Sequence, residues 1–199
     1  MESKEQKIVD YLLKTKDSNP SLWLPRAIEL ATKKEYALDL GCGAGRDTKF
    51  LLEQGFHVIA VDENEKALEY LQNFPQENLE IVLSRFEDFD FKKESYDLIN
   101  AQFSLPFTNR DSFHEVFQKI KNSLKLRGIF VGQLFGVNDD WNKSQTTKTT
   151  FHTLEEVKKL FADAGMELLK IVEKDYDGTV ADGTPKHWHT FHIMARKSG

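Results

Sequence analysis

The sequence predicts an α/β fold: a three-layer, doubly wound, mainly parallel seven-stranded sheet with a C-terminal antiparallel hairpin. Short apolar runs alternate with segments of helical periodicity over most of the 199 residues, which favours parallel strands connected by helices on both faces. The last two strands have no helix between them. A loop of about ten residues is too short for a parallel crossover, so the chain is expected to end in a hairpin.

The elements follow from periodicity and from helix-boundary residues. Apolar residues at helical spacing, with Asn, Ser and Pro at beginnings and Gly at ends, predict helices. These cover residues 4–15, 23–31, 47–54, 64–73, 111–124 and 154–164. Apolar runs predict strands. These cover residues 36–40, 57–61, 79–83, 96–101, 128–135, 168–176 and 188–195. The length predicts one domain over 1–199, with 1–33 as an N-terminal helical cap.

Composition narrows the classes of partner. The formal net charge of −5 disfavours nucleic acid as a substrate, because phosphate-backbone binding needs a positive surface. No apolar stretch approaches the roughly 20 residues of a membrane span, and the N-terminus lacks the apolar region of a signal peptide. We therefore expect a cytoplasmic protein without membrane contact, as a monomer or homodimer. The single cysteine, Cys42, excludes an intramolecular disulfide.

A glycine-rich turn at residues 39–47, Asp-Leu-Gly-Cys-Gly-Ala-Gly-Arg-Asp, joins the first strand to the next helix. Glycine at such a turn permits a tight bend and a close approach of the backbone to a ligand. Asp62 ends the second strand, where an acid can accept hydrogen bonds from ribose hydroxyls. Arg46 stands where dinucleotide-binding loops carry their last glycine. Asp39 and Asp47 flank the turn with negative charge, which disfavours a diphosphate and suits a cationic ligand.

Residues 37–62, ALDLGCGAGRDTKFLLEQGFHVIAVD, resemble the first two motifs of class I S-adenosylmethionine-dependent methyltransferases. Arg46 and Asp47, the Leu-Pro-Phe at 105–107 and the Gly-Gln-Leu-Phe-Gly at 132–136 are similar to the small tellurite-resistance-type members. The resemblance implies a Rossmann-like methyltransferase fold. It also implies S-adenosyl-L-methionine as cofactor, with S-adenosyl-L-homocysteine as product, and a small-molecule methyl acceptor.

The predicted cofactor-binding residues lie mainly at the ends of the first four strands. They are Trp23, Asp39, Leu40, Gly41, Cys42, Gly43, Arg46, Asp62, Glu63, Phe86, Glu87, Ala101 and Gln102. By the resemblance, Asp39 and the backbone of residues 40–43 hold the methionyl end, and Asp62 holds the ribose. Residues 85–87 flank the adenine, and Ala101 with Gln102 approaches the sulfonium.

The chain departs from this family pattern at Arg85. Many relatives carry there an aspartate that contacts the adenine amino group, and an arginine cannot accept that hydrogen bond. Either Glu87 or a backbone carbonyl takes the role, or the equivalent position is displaced by a residue or two.

Ligands of open α/β sheets bind outside the carboxyl ends of the parallel strands. That edge is expected to gather residues 23–26, 103–110, 136–141 and 177–189. Trp23 is a candidate to cover the cofactor, and Phe103 and Trp141 are candidates to wall a small pocket, with ordinary core or lid packing as the alternative. Arg26 or Arg110 is a candidate partner for an anionic substrate, although a solvated surface charge is the simpler interpretation for each.

No catalytic residue is assigned, and His187 is a candidate for a general base because imidazole titrates near neutral pH. A packed, hydrogen-bonded histidine on a strand is the competing interpretation. On the same strand His187 and His189 share one face and His192 takes the other. Three histidines therefore do not converge from this strand, and no metal site is predicted.

Two other functions stay open. One is a methyltransferase acting on nucleic acid or protein. Enzymes that methylate base amino groups often show Asn/Asp-Pro-Pro-aromatic after the fourth strand, whereas this chain has Asn-Ala-Gln-Phe at 100–103. The other is an NAD-binding oxidoreductase or a non-catalytic nucleotide-binding module, which the terminal hairpin and the acids around the turn disfavour.

Overall fold

The computed structural model describes residues 4–143 and 148–199. Within these ranges, six α-helices surround one sheet. The helices are α1 Lys4–Thr15, α2 Leu24–Leu30, α3 Arg46–Glu53, α4 Glu65–Leu71, α5 Phe113–Ser123 and α6 Leu154–Asp163. The strands are β1 Tyr36–Leu40, β2 His57–Asp62, β3 Leu79–Leu83, β4 Tyr96–Ala101, β5 Leu124–Gly136, β6 Phe151–His152, β7 Met166–Thr179 and β8 Pro185–Lys197.

The strand order is β3-β2-β1-β4-β5-β8-β7, with β6 pairing beside β5. The pairs among β1 to β5 are parallel, and β8 pairs antiparallel with both β5 and β7. The predicted fold class is confirmed. The strand order reverses at β1 and β4, which places a crevice at the carboxyl ends of these strands.

Three details of the sheet differ from the sequence prediction, the first being that β5 begins at Leu124 and not at residue 128. The two-residue strand β6 was not predicted, because Phe151–His152 is too short to show a periodicity. The terminal hairpin is longer than predicted: residue 179 of β7 pairs with residue 185 of β8, so only five residues form the turn. Its outer part was missed because β7 is rich in charged residues and lies at the edge of the sheet.

The core has two parts, one on each face of the sheet. Leu38 and Leu40 of β1 belong to a cluster that includes buried residues of α5 and α6. Ala37 of β1 belongs to a second cluster with residues of α2, α3 and α4. This alternation along β1 is the period of two expected for a strand covered on both faces. Among the described residues, no helix combines the length and apolar character needed to cross a membrane.

Candidate functional site

A cavity of about 830 Å³ opens at the carboxyl ends of β1, β2, β4 and β5, a size typical of small-molecule sites. One end is polar and lies on the glycine-rich turn. Its walls include Asp39, Gly41, Cys42, Gly43, Arg46, Asp47, Asp62, Glu63, Arg85, Phe86, Glu87, Asn100 and Gln102. The other end is aromatic and comes from the segments after β4 and β5 and from β8. The two ends form one continuous space.

The glycine-rich turn is fixed by its neighbours on both sides. The amides of Gly41 and Cys42 donate to the carbonyl of Val61, at 2.8 and 3.1 Å. Ser104 Oγ donates to the Leu40 carbonyl at 2.6 Å. Gly41 has φ +71°, and a Cβ there would lie 2.3 Å from Ser104 Cβ. Glycine at this position therefore permits both the backbone conformation and the close approach of the segment after β4.

Asp39 lies at the bottom of the polar end and is 1 % exposed. Its carboxylate accepts from Thr48 Oγ1 at 2.6 Å and from Asn100 Nδ2 at 2.8 Å. Burial, together with the nearby Asp47 carboxylate, raises the pKa of Asp39 to about 7, although the two hydrogen bonds act in the opposite direction. A cationic group bound beside Asp39 would favour its ionised form.

Asp47 differs from Asp39 because the protein already balances its charge. Arg46 Nε lies 3.1 Å from Asp47 Oδ1. The backbone amide and the hydroxyl of Ser21 donate to Asp47 at 2.8 and 2.6 Å. The expectation that both flanking acids present free negative charge to a ligand is therefore corrected for Asp47.

Asp62 ends β2 and faces the same polar end. Its Oδ2 accepts from the Gly43 amide and its Oδ1 from the Asn64 amide, both at 2.9 Å. Burial raises the pKa of Asp62, and these amide bonds oppose the rise. Each carboxylate oxygen retains a second lone pair, so Asp62 can still accept hydrogen bonds from a ligand.

The predicted residues Arg85, Phe86 and Glu87 follow β3 and line the polar end. Glu87 Oε1 already accepts from the Asn109 amide at 3.2 Å and from Ser112 Oγ at 3.1 Å. These bonds hold the segment after β3 against the start of α5, so Glu87 positions this wall.

Three predicted cofactor residues do not line the cavity. Leu40 and Ala101 are fully buried in the core, so their side chains cannot reach a ligand. Trp23 packs against the cluster that contains α2, which corrects its predicted role as a cover for the cofactor. Cys42 lines the cavity, but burial raises the pKa of its thiol well above the ordinary value, which argues against a nucleophilic role.

His187 also lies outside the cavity lining. Its ring nitrogens are 2.7 Å from Asp177 Oδ1 and 2.5 Å from Asp175 Oδ1. These two carboxylates engage both ring nitrogens and raise the pKa of His187. The general-base hypothesis is therefore corrected, and His187 connects the two strands of the hairpin.

Arg26 and Arg110, the two candidate partners for an anionic substrate, also lie outside the cavity lining. Arg26 is exposed and pairs with Glu29 of the same helix. Arg110 contacts the Thr149 carbonyl at 3.5 Å. Neither lines the cavity.

The aromatic end is formed by five rings, which we call the aromatic chamber: Phe103, Phe107, Phe135, Trp141 and Trp188. Their centroids are 5.4 to 6.2 Å apart in neighbouring pairs, which is the range of favourable aromatic contacts. The structure thus brings the predicted Phe103 and Trp141 together. Phe135 was missed, because within the apolar run of β5 it resembles an ordinary core residue.

A buried ion pair stands behind the chamber. Lys186 is 5 % exposed, and its Nζ lies 2.5 Å from Oδ1 of the fully buried Asp139. The same ammonium lies 3.6 Å from the ring centroid of Trp188 and 4.3 Å from that of Trp141. Asp139 also accepts from the Trp141 amide at 3.0 Å. The pair therefore fixes two of the chamber rings. It was not predictable from local sequence patterns, because its members are 47 residues apart.

Helix α1 and the hairpin turn complete the cavity. Tyr11 and Leu12 of α1 line it, as do Val180 and Ala181 of the turn. Lys14 Nζ donates to the Ala181 carbonyl at 2.8 Å, which joins these two segments. That α1 lines the cavity was not predicted. The partly apolar face of this helix does indicate that it packs against another part of the protein.

Comparison with known proteins gives one family match. Residues 37–128 match the family described as "Methyltransferase domain". This range contains the glycine-rich turn and most of the polar end.

Two curated relatives are similar in sequence. The probable S-adenosyl-L-methionine-dependent methyltransferase TehB of Haemophilus influenzae is 30% identical over 93 residues, 46% of this chain and 32% of TehB. N-terminal Xaa-Pro-Lys N-methyltransferase 1 of Bos taurus is 29% identical over 143 residues, 69% of this chain and 64% of that protein. The chain thus spans about a third of TehB and just under two thirds of the second relative.

Solved structures share the fold. TehB of Haemophilus influenzae superposes with a TM-score of 0.75 at 20% identity, covering 96% of this chain and 67% of TehB. The 1,6-didemethyltoxoflavin-N1-methyltransferase of Burkholderia thailandensis, solved with 1,6-didemethyltoxoflavin and S-adenosylhomocysteine, gives a TM-score of 0.66 at 18% identity. That match covers 100% of this chain and 92% of the other.

Proposed function

We propose that this chain, which carries a class I methyltransferase domain and resembles TehB, uses S-adenosylmethionine to methylate a small molecule. The observation that supports this most directly is the division of one cavity into two ends. An acid-lined end on the glycine-rich turn suits a cationic nucleoside, and an aromatic end beside it suits a second, less polar molecule. A reaction between two bound molecules needs this adjacency.

The polar end fits the cofactor by the chemistry of its donors and acceptors. Asp39 would hold the cationic amino group, and ionisation of Asp39 would be favoured by that contact. Asp62 would accept hydrogen bonds from the ribose hydroxyls. Phe86 offers an apolar face and Arg85 a planar one to the adenine, while Gln102 lies between the two ends. Bound S-adenosylmethionine supplies an electrophilic methyl group on a positively charged sulfur.

The chain's own contribution to the reaction is alignment and exclusion of water. Methyl transfer by in-line displacement needs no protein nucleophile when the two molecules are correctly oriented. We further propose that residues 1–33 act as a cap within a single domain. The contact between Lys14 and Ala181 would keep α1 and the hairpin turn over the cavity.

A protein substrate is the second candidate, because one relative is an N-terminal Xaa-Pro-Lys N-methyltransferase. The cover formed by α1 and the hairpin turn favours a small molecule, since a peptide needs an open groove to lead away from the site. The net charge of −5 disfavours nucleic acid. A dinucleotide is disfavoured because the acidic Asp39 lines the cavity beside the glycine-rich turn, where dinucleotide-binding folds hold the diphosphate.

Thermal unfolding with added ligand tests the cofactor assignment. S-adenosylhomocysteine should raise the unfolding temperature, because a ligand that binds only the folded state stabilises it, and NAD should not. Asp62→Ala should weaken S-adenosylhomocysteine binding about tenfold or more by calorimetry, since hydrogen bonds to a charged group are lost. Asp163→Ala, an exposed acid on α6, is the control and should bind normally. Stabilisation by NAD alone would contradict the proposal.

A further inference from the structure

Three residues that line the cavity carry a buried polar atom with no hydrogen-bond partner among the described residues. The atoms are Asn100 Oδ1, Gln102 Nε2 and Thr108 Oγ1. An unpaired buried donor or acceptor costs free energy, so such atoms are rare in folded proteins and are usually satisfied by water or by a ligand. The three atoms therefore indicate which chemical groups a bound molecule presents to the cavity.

The hydrogen-bonding role of the Asn100 atom is fixed by the two acids of the glycine-rich turn. Asn100 Nδ2 lies 2.8 Å from Asp39 Oδ1 and 3.3 Å from Asp47 Oδ2, and it donates to both. The remaining amide oxygen can only accept. It adds a third acceptor to the carboxylates of Asp39 and Asp62, so the polar end suits a ligand with a positive charge.

The amide of Gln102 is fixed in the opposite direction by Gln133. The backbone amide of Phe103 can only donate, and it lies 2.6 Å from Gln133 Oε1. Gln133 therefore directs its Nε2 towards Gln102 and donates to Gln102 Oε1. Because the oxygen of Gln102 is engaged, its NH2 group is left over. Gln102 is 8% exposed, and it thus offers a donor where the polar end offers acceptors.

His192 holds the amide of Gln133 in this orientation. His192 Nδ1 lies 3.3 Å from Gln133 Nε2, and His192 Nε2 lies 3.3 Å from Thr190 Oγ1. Burial lowers the pKa of His192 to about 4, so the ring is neutral at pH 7 and Nδ1 can accept the second hydrogen of Gln133. A reversed Gln133 amide would lose its bonds to both Phe103 and His192.

This network adjoins the aromatic chamber. Gln133 and Phe135 are two residues apart on β5 and therefore share one face of the strand. The ring of Phe103 lies 6.1 Å from the His192 ring and 6.2 Å from the Trp188 ring, measured between centroids. The chain holds Phe103 there with a φ of +51°, which residues with a Cβ rarely adopt. The Gln102 donor therefore belongs to the chamber side of the cavity.

We propose that the methyl acceptor carries a carbonyl or deprotonated oxygen that accepts a hydrogen bond from Gln102 Nε2, and that Gln133 is the positioning residue that fixes this donor. The inference rests on the proposed function and names a chemical feature of its substrate. A substrate ammonium would meet two like groups, the Gln102 NH2 and the Lys186 ammonium, which lies 3.6 Å from the Trp188 centroid. The chamber rings suit an apolar, flat part of the same molecule.

The test compares two probes of the same shape, acetophenone and α-methylstyrene, which differ in having C=O or C=CH2 beside the ring. Each is titrated by ligand-observed NMR into protein saturated with S-adenosylhomocysteine. Acetophenone should have a Kd about tenfold smaller, because α-methylstyrene leaves the buried Gln102 donor unpaired. Equal binding of the two probes, or binding of neither, would overturn the inference. Failure of S-adenosylhomocysteine to bind would overturn the proposed function and the inference with it.

Gln102→Met keeps the length of the side chain and removes the donor. The two probes should then bind equally, while the affinity for S-adenosylhomocysteine stays unchanged. Gln118→Met, at an exposed position of α5 outside the cavity lining, is the matched control and should keep the preference for acetophenone. A lower affinity for S-adenosylhomocysteine in Gln102→Met would assign the donor to the cofactor and would overturn the inference, as would a retained preference.

Gln133→Glu tests the positioning role. The new carboxylate can accept from the Phe103 amide but has no hydrogen for Gln102 Oε1, so Gln102 should turn its NH2 group to the carboxylate and its oxygen to the cavity. The preference should then reverse, with α-methylstyrene binding more tightly, which a loss of packing alone would not produce. Gln133→Met, which buries no charge, carries the test if Gln133→Glu does not fold, and should reduce the preference about threefold or more. An unchanged preference in either folded variant would refute the role of Gln133.

Discussion

The two ends of the cavity are built in different ways. The polar end comes mainly from one continuous segment, the turn at residues 39–47, and from Asp62 at the end of the neighbouring strand. The aromatic chamber comes from segments up to 85 residues apart, from Phe103 to Trp188, and depends on a buried ion pair for its arrangement. The first end depends mainly on the backbone geometry of the turn and on the neighbouring segments that hold it, whereas the second depends on contacts between side chains that are distant in sequence. Changes at the two ends should therefore have separable consequences.

The largest loss of stability is expected from a substitution in the buried ion pair behind the aromatic chamber. Lys186→Met leaves the fully buried Asp139 without its cation, and breaking such a pair costs about 3–5 kcal/mol in the free energy of unfolding. Trp141 and Trp188 also lose the group that lies against both rings. Methylation should be strongly reduced, while S-adenosylhomocysteine affinity, measured below the unfolding temperature, should stay close to that of the unchanged protein.

Lys158→Met provides the matched control, because Lys158 pairs with Glu155 at 3.0 Å on the surface. Exposed ion pairs contribute roughly 0–1 kcal/mol, so denaturant unfolding should detect little change. An equal loss of stability in both variants would show that the Lys186–Asp139 pair does not support the chamber. A parallel loss of cofactor affinity in Lys186→Met would show that the two ends are not separable.

Gly41→Ala should cause a smaller loss of stability and should weaken ligand binding at the polar end. The new Cβ would lie 2.3 Å from Ser104 Cβ, and φ at this position is +71°. Overpacking and strain together cost about 2–4 kcal/mol, and the displaced turn should bind S-adenosylhomocysteine at least tenfold more weakly. Calorimetric titration and thermal unfolding measure the two quantities.

Gly55→Ala is the control that has the backbone strain of a positive φ without the steric clash of Gly41→Ala. Gly55 also has a positive φ, +89°, but no atom lies within 4 Å of a Cβ placed there. This variant should lose about 1 kcal/mol of stability from the backbone conformation alone and should bind the ligand normally. If Gly41→Ala behaved like Gly55→Ala, the close contact between the turn and Ser104 would not matter for the site.

The same contrast explains how much the sequence could predict. The alternation of strands and helices followed from periodicity, and the strand directions followed from the connections between strands, whereas the strand order was not predicted. The resemblance to class I methyltransferases, carried by residues 37–62, is confirmed by the family match. The placement of Asp39 and Asp62 followed because both lie at strand ends. Three features depend on which distant side chains meet: the hydrogen bonds from Ser21 to Asp47, the Lys186–Asp139 pair, and the packing of Trp23 outside the cavity. Local patterns do not carry that information.

The smallest expected effect is a change of ligand affinity with pH, which tests whether Asp39 binds a cationic group. Its pKa of about 7, raised by burial and by Asp47, means that Asp39 is largely protonated at pH 6 and ionised at pH 8. A ligand ammonium favours the carboxylate, so binding at pH 6 should release a proton and be about tenfold weaker than at pH 8.

Titration calorimetry in buffers of different ionisation enthalpy measures both the affinity and the number of protons released. Asp39→Asn keeps the shape of the side chain but removes its titration, and should show neither the proton release nor the change of affinity between pH 6 and pH 8. The aromatic chamber contributes no group that titrates in this range, because its walls are uncharged rings. A pH dependence that survived in Asp39→Asn would therefore have to come from elsewhere at the polar end, and it would remove Asp39 from the contacts to the ligand.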